Sequence, residues 1–166
     1  MNAVFIKQIE EWTEKRINNI LFDSDKDDWN VNTSVFDQRI MNKEHVIIII
    51  EDLEENKFGG YVNEKIDKVV TTFNDSHSFV FSFESNGRMK GMKKFDIKVQ
   101  RYAFILNSQA DDYLFGFGLS DIVVGKENNK TASHCSQHSF SYDGIRNTLC
   151  GKFYFTPKRI IVIEMK

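Results

Sequence analysis

The sequence predicts a mainly β protein of the α+β kind: an antiparallel two-sheet β-sandwich with flanking helices on its N-terminal side. Three observations lead there. Short apolar or alternating runs recur from His45 to the end of the chain, separated by turn residues. The helical periodicity lies ahead of the first such run, so no strand–helix–strand alternation is present to build a parallel sheet. Phe is frequent, at 15 residues, whereas Pro occurs once, at Pro157, which suits an aromatic core and not a disordered chain.

A chain of 166 residues favours one domain. Residues 1–21 are expected to form an N-terminal helix packed on, or leading into, a sandwich domain over residues 22–166. A net charge of −2 with 41% hydrophobic residues argues against a dedicated nucleic-acid binder, which carries a basic excess. The two cysteines, Cys135 and Cys150, are too few for a disulfide scaffold. No charged-then-apolar leader opens the chain, and no apolar run approaches the roughly 18 residues of a membrane span. The expectation is a cytoplasmic protein with reduced thiols and no integral membrane segment. The glycosylation-like triplets at Asn32, Asn74 and Asn129 are then chance matches.

The elements follow in order. From Asn2 to Leu21, Phe5, Ile9, Trp12 and Ile20 recur at helical spacing, with Ile6 and Ile17 broadening the stripe and Asn2 as N-cap. Asp23, Asp25 and Asp27 then alternate as in a calcium loop. The match fails where Asp28 replaces the turn glycine and Ser34 the bidentate glutamate, so a solvated turn capping the next helix is the better reading. That helix is predicted from Ser34 to Met41, with Ser34 and Asp37 as a capping box. Val46 to Ile50 is a continuous β-branched run, the mark of a strand buried on both faces. Phe58-Gly59-Gly60-Tyr61-Val62 returns beside it, its glycines marking a bulge or a close backbone approach. Asn63 to Asp75 reads as a loop. Ser78 to Glu84 alternates as a half-buried strand with Phe79, Phe81 and Phe83 on one side. Ser85 to Arg88 is a turn, and the basic stretch Arg88 to Lys94 is a solvated hairpin tip or a contact for an acidic partner.

Phe95 to Gln100 alternates again, and Tyr102 to Leu106 is a further apolar run. Tyr113 to Gly125 carries two strands meeting at a tight corner, where Gly116 and Gly118 supply strained backbone angles and Asp121 bonds nearby N–H groups. Lys126 to Gln137 is a long polar, mobile loop. Gly151 to Phe155 and Arg159 to Met165 close the chain as strands. The total is about eight.

Little of this names a reaction. His134, Cys135, His138 and Cys150 have the residue types of a zinc site, but their spacing matches no common zinc pattern, so no metal is expected. Either cysteine could be paired on paper with His77 or His138 as a nucleophile, and either could be a redox-sensitive thiol if cationic neighbours lower its pKa. Asp111, Asp112 and Asp121 have no spacing that fixes a carboxylate pair. Phe115-Gly116-Phe117-Gly118 lacks the Lys-Ser/Thr of a phosphate-binding loop.

The order of these segments resembles the TLDc family. The likeness runs from about Phe22 to Met165. It comprises the acidic lead-in Phe22 to Trp29, the helix at Ser34 to Met41, and the strand Val46 to Ile50 followed by Phe58-Gly59-Gly60-Tyr61. The Phe-rich strand Ser78 to Phe83, the corner Phe115-Gly116-Phe117-Gly118 with Asp121 and Ile122, and Leu149-Cys150-Gly151 complete it. The closing strand departs from the family, reading Lys158 to Ile163 with Glu164 late. The resemblance implies a sandwich with flanking helices and no established catalytic residues. It implies a role in oxidative-stress protection, and a protein partner in the subunits of the vacuolar proton-pumping ATPase, whose disassembly such proteins promote. Phe58, Gly59, Gly60, Tyr61, Phe115, Gly116, Gly118, Asp121 and Gly151 are then structural; no catalytic residue, metal or cofactor is expected. The chain reads as a non-enzymatic interaction module. The alternative is a cytosolic thiol-dependent enzyme, hydrolytic or peroxide-consuming, using Cys135 or Cys150. A carbohydrate-binding sandwich is a third reading.

Overall fold

A computed structural model of the chain describes residues 1–128 and 132–166. Helix α1 (Ala3–Thr13) opens it, and the Asn2 side chain accepts a hydrogen bond from the Val4 N–H at 2.8 Å, the expected N-cap. The helix then stops short of the prediction. Glu14 takes a left-handed conformation (φ 57°), and residues Ile17–Asp23 form strand β1 instead of two more helical turns. β1 pairs antiparallel with the last strand, β11 (Pro157–Met165), Ile17 opposite Met165 and Asp23 opposite Ile161. Without β1, the edge of β11 would carry a row of unpaired backbone groups, and closing it outweighs a modest helical periodicity over Ile17 and Ile20. Ile20, placed by that periodicity on the buried stripe, is 62% exposed.

Helix α2 (Phe36–Ile40) is shorter than expected, and the predicted capping box does not form. Ser34 Oγ accepts from the Phe36 N–H two residues on, and the N-cap residue, Val35, makes no side-chain capping bond. The strands that follow are β2 (Val46–Asp52), β3 (Lys57–Val62), β4 (Phe79–Glu84), β5 (Lys93–Asp96), β6 (Phe104–Leu106), β7 (Tyr113–Phe117), β8 (Ile122–Gly125), β9 (Ser133–Cys135) and β10 (Tyr154–Phe155). One sheet runs in the order β1-β11-β2-β3-β4-β5 and the other β10-β9-β8-β7-β6, every ladder antiparallel. The predicted sandwich is present, with eleven strands among the described residues where about eight were expected. The additional ones are short or lie where other structure was read. β1 falls inside the predicted helix, and β9 lies within the predicted mobile loop Lys126–Gln137. Asn129 and its triplet lie outside the described residues.

Two layers of apolar side chains hold the molecule together. Between the sheets lie Phe22, Ile48, Ile50, Phe58, Val80, Phe104, Phe115 and Phe117, all buried. On the outer face of the larger sheet, Ile47, Phe79, Phe81, Phe83 and Ile163 form a second cluster with Ile9 of α1, and Phe5 and Trp12 pack on its rim. Trp12 sits 5.8–6.0 Å from the rings of Phe79, Phe81 and Phe83. α1 therefore changes the character of β4. Its alternation predicted one wet face, opposite the phenylalanines, yet Phe79 to Phe83 are all buried: α1 covers the phenylalanine side, and Val80 on the other side packs between the sheets. β2 is buried on both faces over Val46–Ile50, as its β-branched run predicted. Pro157 is the first residue of β11, a position where its missing N–H is tolerated.

Candidate functional site

A cleft of about 320 Å³ lies at one end of the smaller sheet, lined by Cys135, Gln137, Arg146, Leu149, Cys150 and Phe153 among others. β9 forms one wall. Its register against β8 sets Cys135 opposite Ile122 and His134 opposite Val123, and against β10 sets His134 opposite Tyr154. Alternation along β9 buries Ser133 and Cys135 and turns His134 outward, where its ring stacks on Phe153 at 5.1 Å. The Cys135 N–H donates to the Phe153 carbonyl at 2.8 Å, drawing the segment after Cys150 against this wall.

The other wall is irregular chain from Tyr142 to Phe153, fixed by side chains from far away in sequence. Arg88 donates to the carbonyls of Asn147 (2.8 Å) and Leu149 (3.0 Å), and to Asn56 Oδ1 (2.9 Å). Asn56, fully buried, donates through Nδ2 to the Cys150 carbonyl (3.1 Å) and to Asp52 Oδ2 (2.8 Å). On the opposite side, Gln137 Oε1 accepts from the N–H and hydroxyl of Thr148, and its amide donates to the Ile145 carbonyl at 2.7 Å. Gly151 passes directly over Arg88 with φ 85°, and a β-carbon there would lie 2.6 Å from Arg88 Nη1. Arg88 thus serves as a brace while staying exposed, at a tip that is largely solvated, as the basic stretch suggested. Further along that stretch, Lys93 and Lys94 pair with Asp143 and Asp96.

The bracing brings Cys135 and Cys150 together, 15 positions apart in sequence. Both are free thiols and both are buried, at 8% and 2% exposure. The Cys135 S–H donates to the Cys150 sulfur, and Cys150 lies 2.8 Å from the Lys152 carbonyl. Their acidities diverge. The hydrogen bond from Cys135 lowers the Cys150 pKa below that of an ordinary cysteine despite burial, with Arg88 helping in the same direction. Burial above all pushes the Cys135 thiol well up.

Neither histidine of the zinc-like set joins them: His134 stacks on Phe153, and His138 Nδ1 meets Ser139 Oγ at 2.9 Å. Among the described residues, no group of three or more His, Cys, Asp or Glu side chains is arranged to hold a metal. The calcium-like aspartates are occupied as well. Arg159 binds Asp23 at 2.9 Å and Asp25 at 3.1 Å, Arg39 binds Asp27 at 3.2 Å, and Asp27 Oδ2 accepts from the Asp23 N–H. They close their own turn and tie it to β11; they do not cap α2.

Apart from Gly151 in the cleft wall, the motif residues lie elsewhere and do not converge on one point. Phe58 is in the core against Phe155, ring centroids 5.1 Å apart. Gly59 lies against the Ile48 carbonyl and Gly60 against the ring of Phe117 on the facing sheet, so the segments 58–61 and 115–121 meet there. Tyr61 is on the outer face, its hydroxyl bonded to Asn63 Oδ1 at 2.9 Å. Phe115 stacks between Phe36 and Phe104. At the corner, Gly118 has φ 67° whereas Gly116 lies within β7 without a positive φ, so the strained-angle expectation applies to Gly118 and not to Gly116. Asp121, fully buried, accepts from the N–H groups of His138 and Ser139 and from the Tyr142 hydroxyl at 2.7 Å. It anchors the following segment where local bonding at the corner was expected. The bracing roles of Arg88 and Asn56 escaped sequence reasoning because their partners in the cleft wall are 59–94 positions away, a distance no local pattern encodes.

The fold is a two-sheet antiparallel β-sandwich with a braced dithiol cleft at one end. The model of the TLDc domain family matches residues 1–162 of the 166. The chain belongs to the TLDc domain family. A search of the curated proteins finds no match.

Proposed function

We propose that this chain is a non-enzymatic protein-interaction module of the cytosol that binds subunits of the vacuolar proton-pumping ATPase, regulates or disassembles that pump, and thereby contributes to protection against oxidative stress. The observation that carries the reading is the match to the TLDc domain over nearly the whole chain. The rigid sandwich supports it, since loops on such a scaffold make adaptable contact surfaces. Exposed Phe153 and Tyr154, at 50% and 58%, offer apolar contact area beside the cleft. Affinity capture from a soluble cell extract, read by mass spectrometry, tests it. Pump subunits retained by the wild type and lost with the destabilised Gly118→Val variant are the expected outcome; wild-type captures lacking pump subunits defeat it.

The acidified Cys150 thiol favours a second reading, a thiol-dependent hydrolase or peroxide-consuming enzyme. Its partners on the page are Cys135 and the Lys152 carbonyl, with no histidine in the role of base. The rate of thiol alkylation against pH discriminates. The enzyme reading requires Cys150 to titrate below the ordinary value of about 8.5, and a midpoint at or above that value removes it.

A further inference from the structure

We propose that Cys135 and Cys150 form an oxidative modification site, in which a hydroperoxide converts the braced dithiol of the cleft into a reversible intramolecular disulfide. The inference rests on the geometry of this chain and not on the partner proposed above. Both side chains line one cleft and act on one another's acidity, and strand pairing holds one while Arg88 and Asn56 hold the backbone around the other. Disulfide formation needs the two sulfurs brought to a bond length of about 2.05 Å.

The roles are unequal. Cys150 is the attacking sulfur, because it receives the hydrogen bond and lies near Arg88, so its thiolate is the more accessible form. Cys135, deeper in apolar surroundings, stays protonated as the resolving thiol. In the first step the Cys150 thiolate attacks one oxygen of the hydroperoxide. An S–O bond forms, the O–O bond breaks, and the distal oxygen leaves as water or alcohol with a proton taken up, giving a sulfenic acid. In the second step the Cys135 sulfur attacks that sulfenic sulfur. The S–S bond forms, the S–O bond breaks, and the hydroxyl leaves as water carrying the Cys135 proton. Two thiols lose two electrons and two protons, and the peroxide is reduced by the same two electrons. A thiol reductant reverses the change.

The test treats the whole folded chain with hydrogen peroxide, quenches it, and alkylates under denaturing conditions before intact-mass and peptide analysis. The expected result is loss of both alkylatable thiols, a mass lower by two hydrogens, and a single cross-linked pair of peptides containing Cys135 and Cys150, all restored by dithiothreitol. In Cys135→Ala, a 1,3-dione should trap a sulfenic acid on Cys150. In Cys150→Ala, Cys135 should stay unoxidised. Two thiols still alkylatable in oxidised wild type, disulfides only between molecules, sulfinic acid at Cys150 as the main product, or sulfenic trapping at Cys135 in Cys150→Ala each overturns the proposal. The wild-type arms stand even if a variant fails to fold.

Discussion

At the scale of single residues, the sequence marks glycines and leaves their reasons open. The pair Gly59-Gly60 was legible as a bulge or a close approach, and the structure shows close approach on two different sides. A β-carbon on Gly59 would lie 1.9 Å from the Ile48 carbonyl oxygen within the same sheet, and one on Gly60 would lie 2.6 Å from the Phe117 ring across the sandwich. Gly118 differs, with φ 67° and Asp121 Oδ1 2.2 Å from its would-be β-carbon. Gly116 has neither, its nearest neighbour being the Ile122 carbonyl at 3.2 Å. Alanine at Gly59, Gly60 or Gly118 is therefore expected to destabilise by about 1–3 kcal/mol, and alanine at Gly116 by less. Urea midpoints of the four variants check the ranking; an equal or larger loss for Gly116→Ala would show that the corner is not read correctly. The cysteine pair was not legible. Each thiol was visible, but their contact depends on Arg88 and Asn56, 62 and 94 positions from Cys150.

At the scale of elements, periodicity identified α1, β2 and β3 well and misread the chain after Arg16, where a strand replaces the expected end of the helix. The Asp23–Arg159 pair shows what the local pattern missed. Asp23, at the end of β1, receives two hydrogen bonds from Arg159 on β11, at 2.9 and 3.2 Å. The arginine, foremost, lowers the Asp23 pKa. A carboxylate with a folded pKa below its unfolded value stabilises at pH above the unfolded pKa, about 3.9, and that contribution fades as pH falls towards the folded value. The stability difference between wild type and Asp23→Asn is accordingly expected to be full near neutrality, to shrink below about pH 4, and to vanish once Asp23 protonates in the folded chain. Urea unfolding across that range measures it. A difference that stays constant from neutral to acid pH would assign the effect to packing in place of the ion pair.

At the scale of the whole molecule, α1 covers an aromatic face of the larger sheet. Phe79, Phe81 and Phe83 alternate with core residues on β4, and the helix is what keeps them from water. Ile9, fully buried between helix and sheet, makes the contact directly. Ile9→Ala is expected to cost about 2–4 kcal/mol, comparable to a core truncation and far above an exposed helix position such as Val4. Chain lacking residues 1–16 is expected to bind an apolar dye and to lose its cooperative thermal transition. Retention of that transition with no dye binding would mean that α1 is peripheral.

By itself, the sequence determined that this chain is an antiparallel sandwich with an aromatic core, and the ordered motifs placed it near the TLDc family. Those properties reside in local periodicity, turn residues and composition, which short segments of chain express directly. The tertiary structure decided where α1 ends, that both faces of β4 are buried, that Arg88 is a brace, and that Cys135 meets Cys150. Each of these depends on backbone edges and side chains brought together from distant parts of the chain. The free energy of pairing an open strand edge, covering an aromatic face or satisfying a buried amide belongs to the assembled molecule, so no local pattern can carry it.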